Sequence, residues 1–307
     1  MDELRTPAVS VVIPTHGRPD LLPRTIASIA AQDLDALVEC IIVHDAPEVT
    51  ERFAGDARPD LAIRELANAR IPGLAGARNT GILAARAPLV AFCDDDDTWD
   101  ARKLRLQMRA LEETGALVAS CSNVVTYGRH RTVRRAPGAT VAFADLVRDR
   151  VAVLHSSTIL ARRDAIIERI GLIDEAIPRG ASEDYEWQLR ASRIAPIVVV
   201  DEPLVDVAWH EGSRYSRRWD LYVGGLEYIL REYPEFDGCP RGKARVQGQI
   251  AFGYAAMGLR RTACRWATAC VRHDWRQPRG YLALMVAAGL LPTESLLSRL
   301  NAHGRGV

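Results

Sequence analysis

The sequence predicts an α/β fold: a mostly parallel sheet flanked by helices, with a helical C-terminal extension. Three observations predict it. Across the first 125 residues, short apolar runs alternate with helical patterns, the way strand–helix–strand units read. Polar and acidic residues follow directly after several of those runs. Beyond about residue 216 the pattern is helical to the end.

The elements follow in order. Val9-Ser10-Val11-Val12-Ile13 reads as a buried strand ended by Pro14. Residues 20–32 place Leu22, Ile26, Ile29 and Ala30 on one helical face. Val38–Val43 is a second strand, Leu61–Leu66 a third, and residues 75–86 a helix. Leu89–Cys93 is a fourth strand, followed by an amphipathic helix over about 99–114 and a strand at Leu117–Tyr127. Residues 128–140 read as a polar, Arg-rich loop. Residues 155–161 and 197–209 read as strands flanking a helix near 183–194. Three regions are expected: 1–125 and 126–215 as two halves of one α/β domain, and 216–307 as a basic helical region.

Composition excludes a disordered chain, a fibre and a small disulfide scaffold: of 307 residues, 48% are hydrophobic and 26% charged. The net charge of +1 hides an asymmetry. From Cys239 onward there are 11 Lys/Arg and 2 Asp/Glu, a net +9, which leaves −8 on the rest. Six cysteines lack CxxC spacing and read as reduced thiols of a cytoplasmic protein. The acidic start, Met1-Asp2-Glu3, predicts no signal peptide. The longest apolar stretch, Tyr281 to Pro292, is too short to cross a bilayer.

Ligands of such sheets bind beyond the carboxyl ends of the strands, and the sharpest feature sits there. Asp94-Asp95-Asp96-Asp97 follows the strand ending in Cys93. Adjacent carboxylates repel one another, and a hard cation such as Mg2+ or Mn2+ is the natural counter-charge. In extended chain, residues i and i+2 point the same way, so Asp94 and Asp96 are expected to face one site. Asp97 has a second reading, as N-cap of a helix starting near Trp99. Gly73 to Gly81 form a loop into a helix, where Arg78 could meet a phosphate or base. Ser182-Glu183-Asp184 opens a helix, with its acids either serving the helix dipole or held as a general base. His210 follows a strand, as a ligand or as an exposed histidine.

Taken together, these features resemble the family 2 glycosyltransferases with the GT-A fold, over about residues 8–214. Val11-Val12-Ile13-Pro14-Thr15 with Arg18-Pro19 is similar to the opening strand and nucleotide loop. Asp45 matches the acid that contacts the nucleotide base. Ala77-Arg78-Asn79-Thr80-Gly81-Ile82, Phe92 to Trp99, Glu183-Asp184 and His210-Glu211-Gly212-Ser213 match further motifs in order. The sequence departs from the family at His44-Asp45-Ala46-Pro47, in place of two acids then Gly-Ser, and at Gly17, in place of Asn. Both departures lie near the nucleotide and leave the base open.

The resemblance implies an inverting, divalent-metal-dependent glycosyltransferase. It would move a sugar from a nucleotide diphosphosugar, with a UDP-sugar favoured, to a hydroxyl of a glycan, lipid-linked or small-molecule acceptor. It implies Asp184 as catalytic base and Pro14, Thr15, Arg18, Asp45, Arg78, Asp94 and Asp95 as donor-binding residues. Asp96 and His210 would hold Mn2+ or Mg2+. Two alternatives stand beside it. Asp94 to Thr98 also fits the Asp-x-Asp-x-Thr nucleophile of haloacid-dehalogenase-like phosphatases, and a non-catalytic relative would bind a glycan or nucleotide without turnover.

In the C-terminal region, Arg260, Arg261, Arg265 and Arg272 interleave with Leu259, Trp266 and Val271. A cationic amphipathic helix with Trp reads as a membrane-surface element, so peripheral contact with the inner face of the cell membrane is expected. There is no recognised nucleic-acid-binding module, and nucleic acid is not an expected partner. Trp187, Trp209, Tyr215 and Trp219 are either core aromatics or platforms for acceptor sugars.

Overall fold

The protein is described by a computed structural model covering residues 6–49, 53, 60–178, 181–209, 218–293 and 296–297. The first half runs β1 (Val9–Thr15), α1 (Leu22–Ala30), β2 (Val38–His44), β3 (Leu61–Ala67), α2 (Leu74–Ala84), β4 (Leu89–Phe92), β5 (Thr98–Trp99) and α3 (Lys103–Thr114). Next come β6 (Val118–Tyr127), β7 (His130–Arg134), β8 (Thr140–Val141), α4 (Phe143–Arg148), β9 (Leu160–Arg162) and α5 (Arg163–Ala165), which continues as a π-helical turn. Then follow α6 (Glu183–Ile194), β10 (Ile197–Trp209), α7 (Trp219–Glu232), α8 (Pro240–Ala256), α9 (Arg260–His273) and α10 (Pro278–Ala287).

One sheet carries the strands in the order β3-β2-β1-β4-β9-β6-β10-β5, with β7 beside β6 and β8 beside β10. The long pairings are parallel: β1 with β2 and β4, β2 with β3, and β6 with β10. Among the antiparallel ones, β9 is wedged between β4 and β6. Continuous apolar runs make this possible, since a parallel strand is covered on both faces. Every residue of β1 is buried. In α1, Leu22, Ile26 and Ile29 bury one helical stripe.

Three local expectations are corrected. The Arg-rich stretch 128–140 contains β7, which pairs antiparallel with β6 from Asn123↔Arg134 to Tyr127↔His130. Gly128 makes the turn at φ 56°, a left-handed value that glycine adopts without strain. Of 155–161, only the end is strand; Ser156–Thr158 is a 3-10 turn. The helix expected near Trp99 starts at Lys103, after β5.

In the C-terminal region, α8, α9 and α10 share a core of small residues with Phe252, among them Ala251, Ala263, Ala267 and Ala283. Two glycines set its seat on the α/β body. A Cβ at Gly242 of α8 would lie 2.0 Å from Val147 O of α4, and one at Gly225 of α7 would lie 2.0 Å from Ala181 O. The apolar side of α9 faces inward: Ala263, Ala267 and Cys270 are buried, and Trp266 packs on the core. Arg260, Arg261, Arg265 and Arg272 are exposed on its other side. Among the described residues, no helix is long and apolar enough to cross a membrane.

Candidate active site

The carboxyl ends of β1, β2 and β4 lie side by side and lead into Thr15, Asp45 and Asp94. The four aspartates do not stay extended. Asp97 N donates to Asp94 O at 3.2 Å, which closes a turn. Thr25 of α1 clamps it by donating to the Asp95 and Asp97 carbonyls, at 2.9 and 2.8 Å. The turn replaces the expected alternation, so Asp95 pairs off with Asp96, and Asp94 with Asp97.

On one side, Thr15 Oγ1 donates to Asp95 Oδ2 at 2.7 Å. Arg18 donates to Asp95 Oδ1 at 2.5 Å and to Asp96 Oδ2 at 3.1 Å. Pro14 lies in β1 opposite Val43. Burial pushes the Asp95 carboxyl up to about 6, against the pull of Thr15 and Arg18. Asp45 lies farther out on the sheet. Its Oδ1 accepts from Gly73 N at 2.7 Å and from Asn68 Nδ2 at 3.0 Å, which ties β2 to the loop before α2.

On the other side, Arg78 is buried to 2% exposure. Its Nη2 donates to Asp94 Oδ1 at 2.8 Å and to Ser156 Oγ at 3.2 Å, and its Nη1 to Glu183 Oε1 at 2.5 Å. Ser157 Oγ and Ala208 N donate to Asp97 at 2.5 and 2.9 Å. His155 stands over the pair, 3.5 Å from Asp97 and 3.9 Å from Asp94. Burial, then the charges of Asp94 and Asp96, push the Asp97 carboxyl well up. Asp94 goes the other way: burial opposes it, but Arg78 and His155 hold it below its ordinary value. Glu183 is raised to about 7, chiefly by burial.

Glu183 and Asp184 are aimed by a strained residue. Ser182 has φ 69° and is the one described non-glycine residue with positive φ. Such strain persists where packing over-determines the backbone, and here Gly225 of α7 presses against Ala181 and Ser182. Asp184 then meets Arg150, whose Nη2 donates to Oδ2 at 3.0 Å.

Six carboxylates (Asp94 to Asp97, Glu183 and Asp184) are thus matched by three guanidinium groups, Arg18, Arg78 and Arg150. The carboxylate oxygens, with the His155 ring nitrogen beside them, fit Mn2+ or Mg2+. Asp94, Asp97 and His155 bring ligand atoms within 4.8 Å of one another. Asp97 is 1% exposed, whereas Asp94 and Asp96 are the partly open carboxylates, at 23% and 15% side-chain exposure. His210, expected beside Asp96, lies outside the described residues, as do Glu211 to Ser213 and Tyr215.

Sequence reasoning missed His155, Ser156, Ser157 and Arg150. They sit in an irregular stretch with no motif to mark it. The aromatic expectations sort out by packing. Trp187 is core, edge-on to Phe92, and Trp219 packs on Phe252. Trp209 lies under Arg134, 4.5 Å from ring centre to guanidinium.

The chain is 34% identical over 115 residues to the succinoglycan biosynthesis protein ExoO of Rhizobium meliloti, covering 38% of this chain and 33% of that one. It is 33% identical over 100 residues to WfgD of Escherichia coli, covering 33% of this chain and 39% of that one. WfgD is described as a UDP-Glc:alpha-D-GlcNAc-diphosphoundecaprenol beta-1,3-glucosyltransferase. The matches therefore span under two fifths of these curated relatives. Among solved structures, Staphylococcus aureus TarS 1–349 with UDP-GlcNAc superposes with a TM-score of 0.65 at 16% identity, covering 97% of this chain and 92% of that one. The mannosyltransferase PcManGT of Pyrobaculum calidifontis, with GDP-Man and Mn2+, gives 0.57 at 18% identity, covering 98% and 86%. These two likenesses show the fold, which is GT-A. Residues 10–170, more than half of the chain, match Glycosyl transferase family 2, and the chain belongs to that family.

Proposed function

We propose that the protein transfers a sugar from a nucleotide diphosphosugar to an acceptor hydroxyl, with inversion at the anomeric carbon. A UDP-sugar is the favoured donor, as in TarS and WfgD. A lipid-diphosphate-linked sugar is the favoured acceptor, as in WfgD. The observation that carries this reading is the double ion pair of Arg78. One buried guanidinium holds Asp94, from the donor-side turn, and Glu183, next to Asp184, so the two motifs meet at one residue.

In this reading Thr15 and Arg18 fix the aspartate turn beneath the donor, and Asp45 lies where the base would sit. Asp96 would hold Mn2+ or Mg2+, which when bound supplies Lewis-acid stabilisation of the diphosphate. Asp184 takes the acceptor hydroxyl proton. The freed oxygen forms its bond to the anomeric carbon from the face opposite the nucleotide. The bond to the diphosphate oxygen breaks, and its electron pair leaves with the nucleotide. Arg150 fixes Asp184 from one side. The match of residues 10–170 to Glycosyl transferase family 2 speaks against the phosphatase alternative.

The test is Asp184→Asn. Turnover is expected to fall about 10²–10⁴-fold, while UDP binding measured by calorimetry stays. Near-normal turnover would remove Asp184 as the base.

A further inference from the structure

Away from the aspartate turn lies a second cavity, of about 750 Å³, with the opposite charge. It opens between the end of α4, the start of α8 and the start of α10. Five arginines line it, Arg148, Arg241, Arg245, Arg276 and Arg279, against two acids, Asp149 and Asp274. Two helix N-termini converge there, and neither has an acid in its first turn nor a side-chain cap. Helix starts favour anions, yet α8 and α10 begin with arginines. The positive potentials add, offset by Asp145, which pairs with Arg148 at 2.6 Å, and by Asp149, 3.7 Å from Arg245.

One buried group is also left waiting. Arg245 is 3% exposed. Its two terminal nitrogens donate to Gln249 and to Tyr185, at 3.0 and 2.7 Å. Its Nε has no hydrogen-bond partner, with Asp149 at 3.7 Å across the cavity wall. A buried donor of this kind is costly unless something accepts from it. The Arg279 guanidinium is likewise pushed down, by burial and then by the charge of Arg245.

One buried ring stands between the cavity wall and the acceptor side. Tyr185, next to Asp184, has the guanidiniums of Arg150 and Arg245 at 5.7 and 5.6 Å from its centroid. Arg150 holds Asp184, and Arg245 walls the cavity. Beside the cavity mouth, Trp275, Tyr281, Met285 and Leu290 are exposed at 66%, 43%, 40% and 71%. The Tyr281 hydroxyl donates to the Trp275 carbonyl, which links the loop to α10. A cationic hollow beside an apolar shelf suits an amphiphile with a dense anionic head.

We propose that this cavity binds the diphosphate of an amphiphilic acceptor, with its hydrocarbon over Trp275, Tyr281 and Met285 and its sugar toward Asp184. This rests on the reading of Asp184 as the acceptor-side base. It deepens that reading by giving the acceptor's diphosphate a site apart from the donor's.

The test titrates the full chain with inorganic pyrophosphate and with farnesyl diphosphate, in chelator, so that a cation-dependent donor site stays silent. Both are expected to bind, farnesyl diphosphate at least tenfold tighter. The rim pair Arg241→Gln with Arg276→Gln should weaken both at least tenfold, and so should Arg245→Gln if it folds. Tyr281→Ser with Met285→Ser should weaken farnesyl diphosphate alone. Failure of both probes to bind, or binding indifferent to the rim pair, overturns the proposal. Binding to phosphatidylglycerol vesicles that pyrophosphate does not displace overturns it too, in favour of a general membrane face. Binding is measured without turnover. A fully active Asp184→Asn enzyme with the cavity intact would therefore sink the base assignment and leave the diphosphate site standing.

Discussion

The aspartate turn and the arginine cavity are opposite solutions to one electrostatic problem. At the turn, six carboxylates meet three guanidiniums, and the deficit is positive charge. In the cavity, five arginines meet two acids, and the deficit is negative charge. Both lie at the ends of regular elements, strand carboxyl ends in one case and helix amino ends in the other. A fold that leaves like charges together loses stability unless an outside ion completes the set. The two regions therefore read as halves of one task, gripping a cation with a leaving diphosphate in one place and an acceptor's anion in the other.

The comparison breaks most readily at Arg78. Replacing it with Met removes a cation that two buried carboxylates share, Asp94 and Glu183. Breaking a buried pair from one side costs about 3–5 kcal/mol, so a large drop in Tm is expected. Mn2+ should recover more Tm in Arg78→Met than in wild type, because the variant holds more uncompensated negative charge. Equal recovery in both would mean that the carboxylate excess is not what meets the cation.

Much of this frame was legible in the sequence. The central strands announced themselves because both faces are buried, as in Val9–Ile13 and Val38–Val43. The site after β4 followed from its strand end, and the one after β1 from the family resemblance. What failed depended on distant chain. The turn at Asp94 to Asp97 is imposed by Thr25 from α1, and no local pattern foretells it. Arg78 was visible, but its bond to Glu183 joins residues 105 positions apart. β7 hid because its side chains are largely exposed and carry no apolar alternation. The arginines of the C-terminal region were legible as charge. Their convergence on a cavity was not, because it depends on where α8 and α10 begin in space.

A smaller effect sharpens the acid side. Lys103 is fully buried, 3.8 Å over the Trp99 ring, and its Nζ has no hydrogen-bond partner. Burial lowers its pKa to about 8. The unfolded chain keeps that proton up to about 10.4. Between those values the unfolded state binds more protons, so stability rises with pH. Below about 8 both states are charged and the penalty is constant. At about 1.4 kcal/mol per pH unit, the rise is on the order of 3 kcal/mol. Urea denaturation across this window should show it in wild type and lose it in Lys103→Met. An equal rise in both would assign it to other groups and make Lys103 a neutral part of the core.

The smallest effect is the most discriminating, because the two regions should answer the same kind of change with opposite signs. Neutralising a cation at the turn destabilises the protein. Neutralising Arg241 and Arg276 at the cavity rim removes like charges that repel one another, and both side chains are exposed. Without added anion, Tm should stay the same or rise slightly. With pyrophosphate present, wild type should gain Tm by mass action, and the rim variant should gain little. A fall in Tm without anion would show that the rim arginines are already compensated within the protein. The cavity would then be a structural network, and the symmetry with the aspartate turn would be lost.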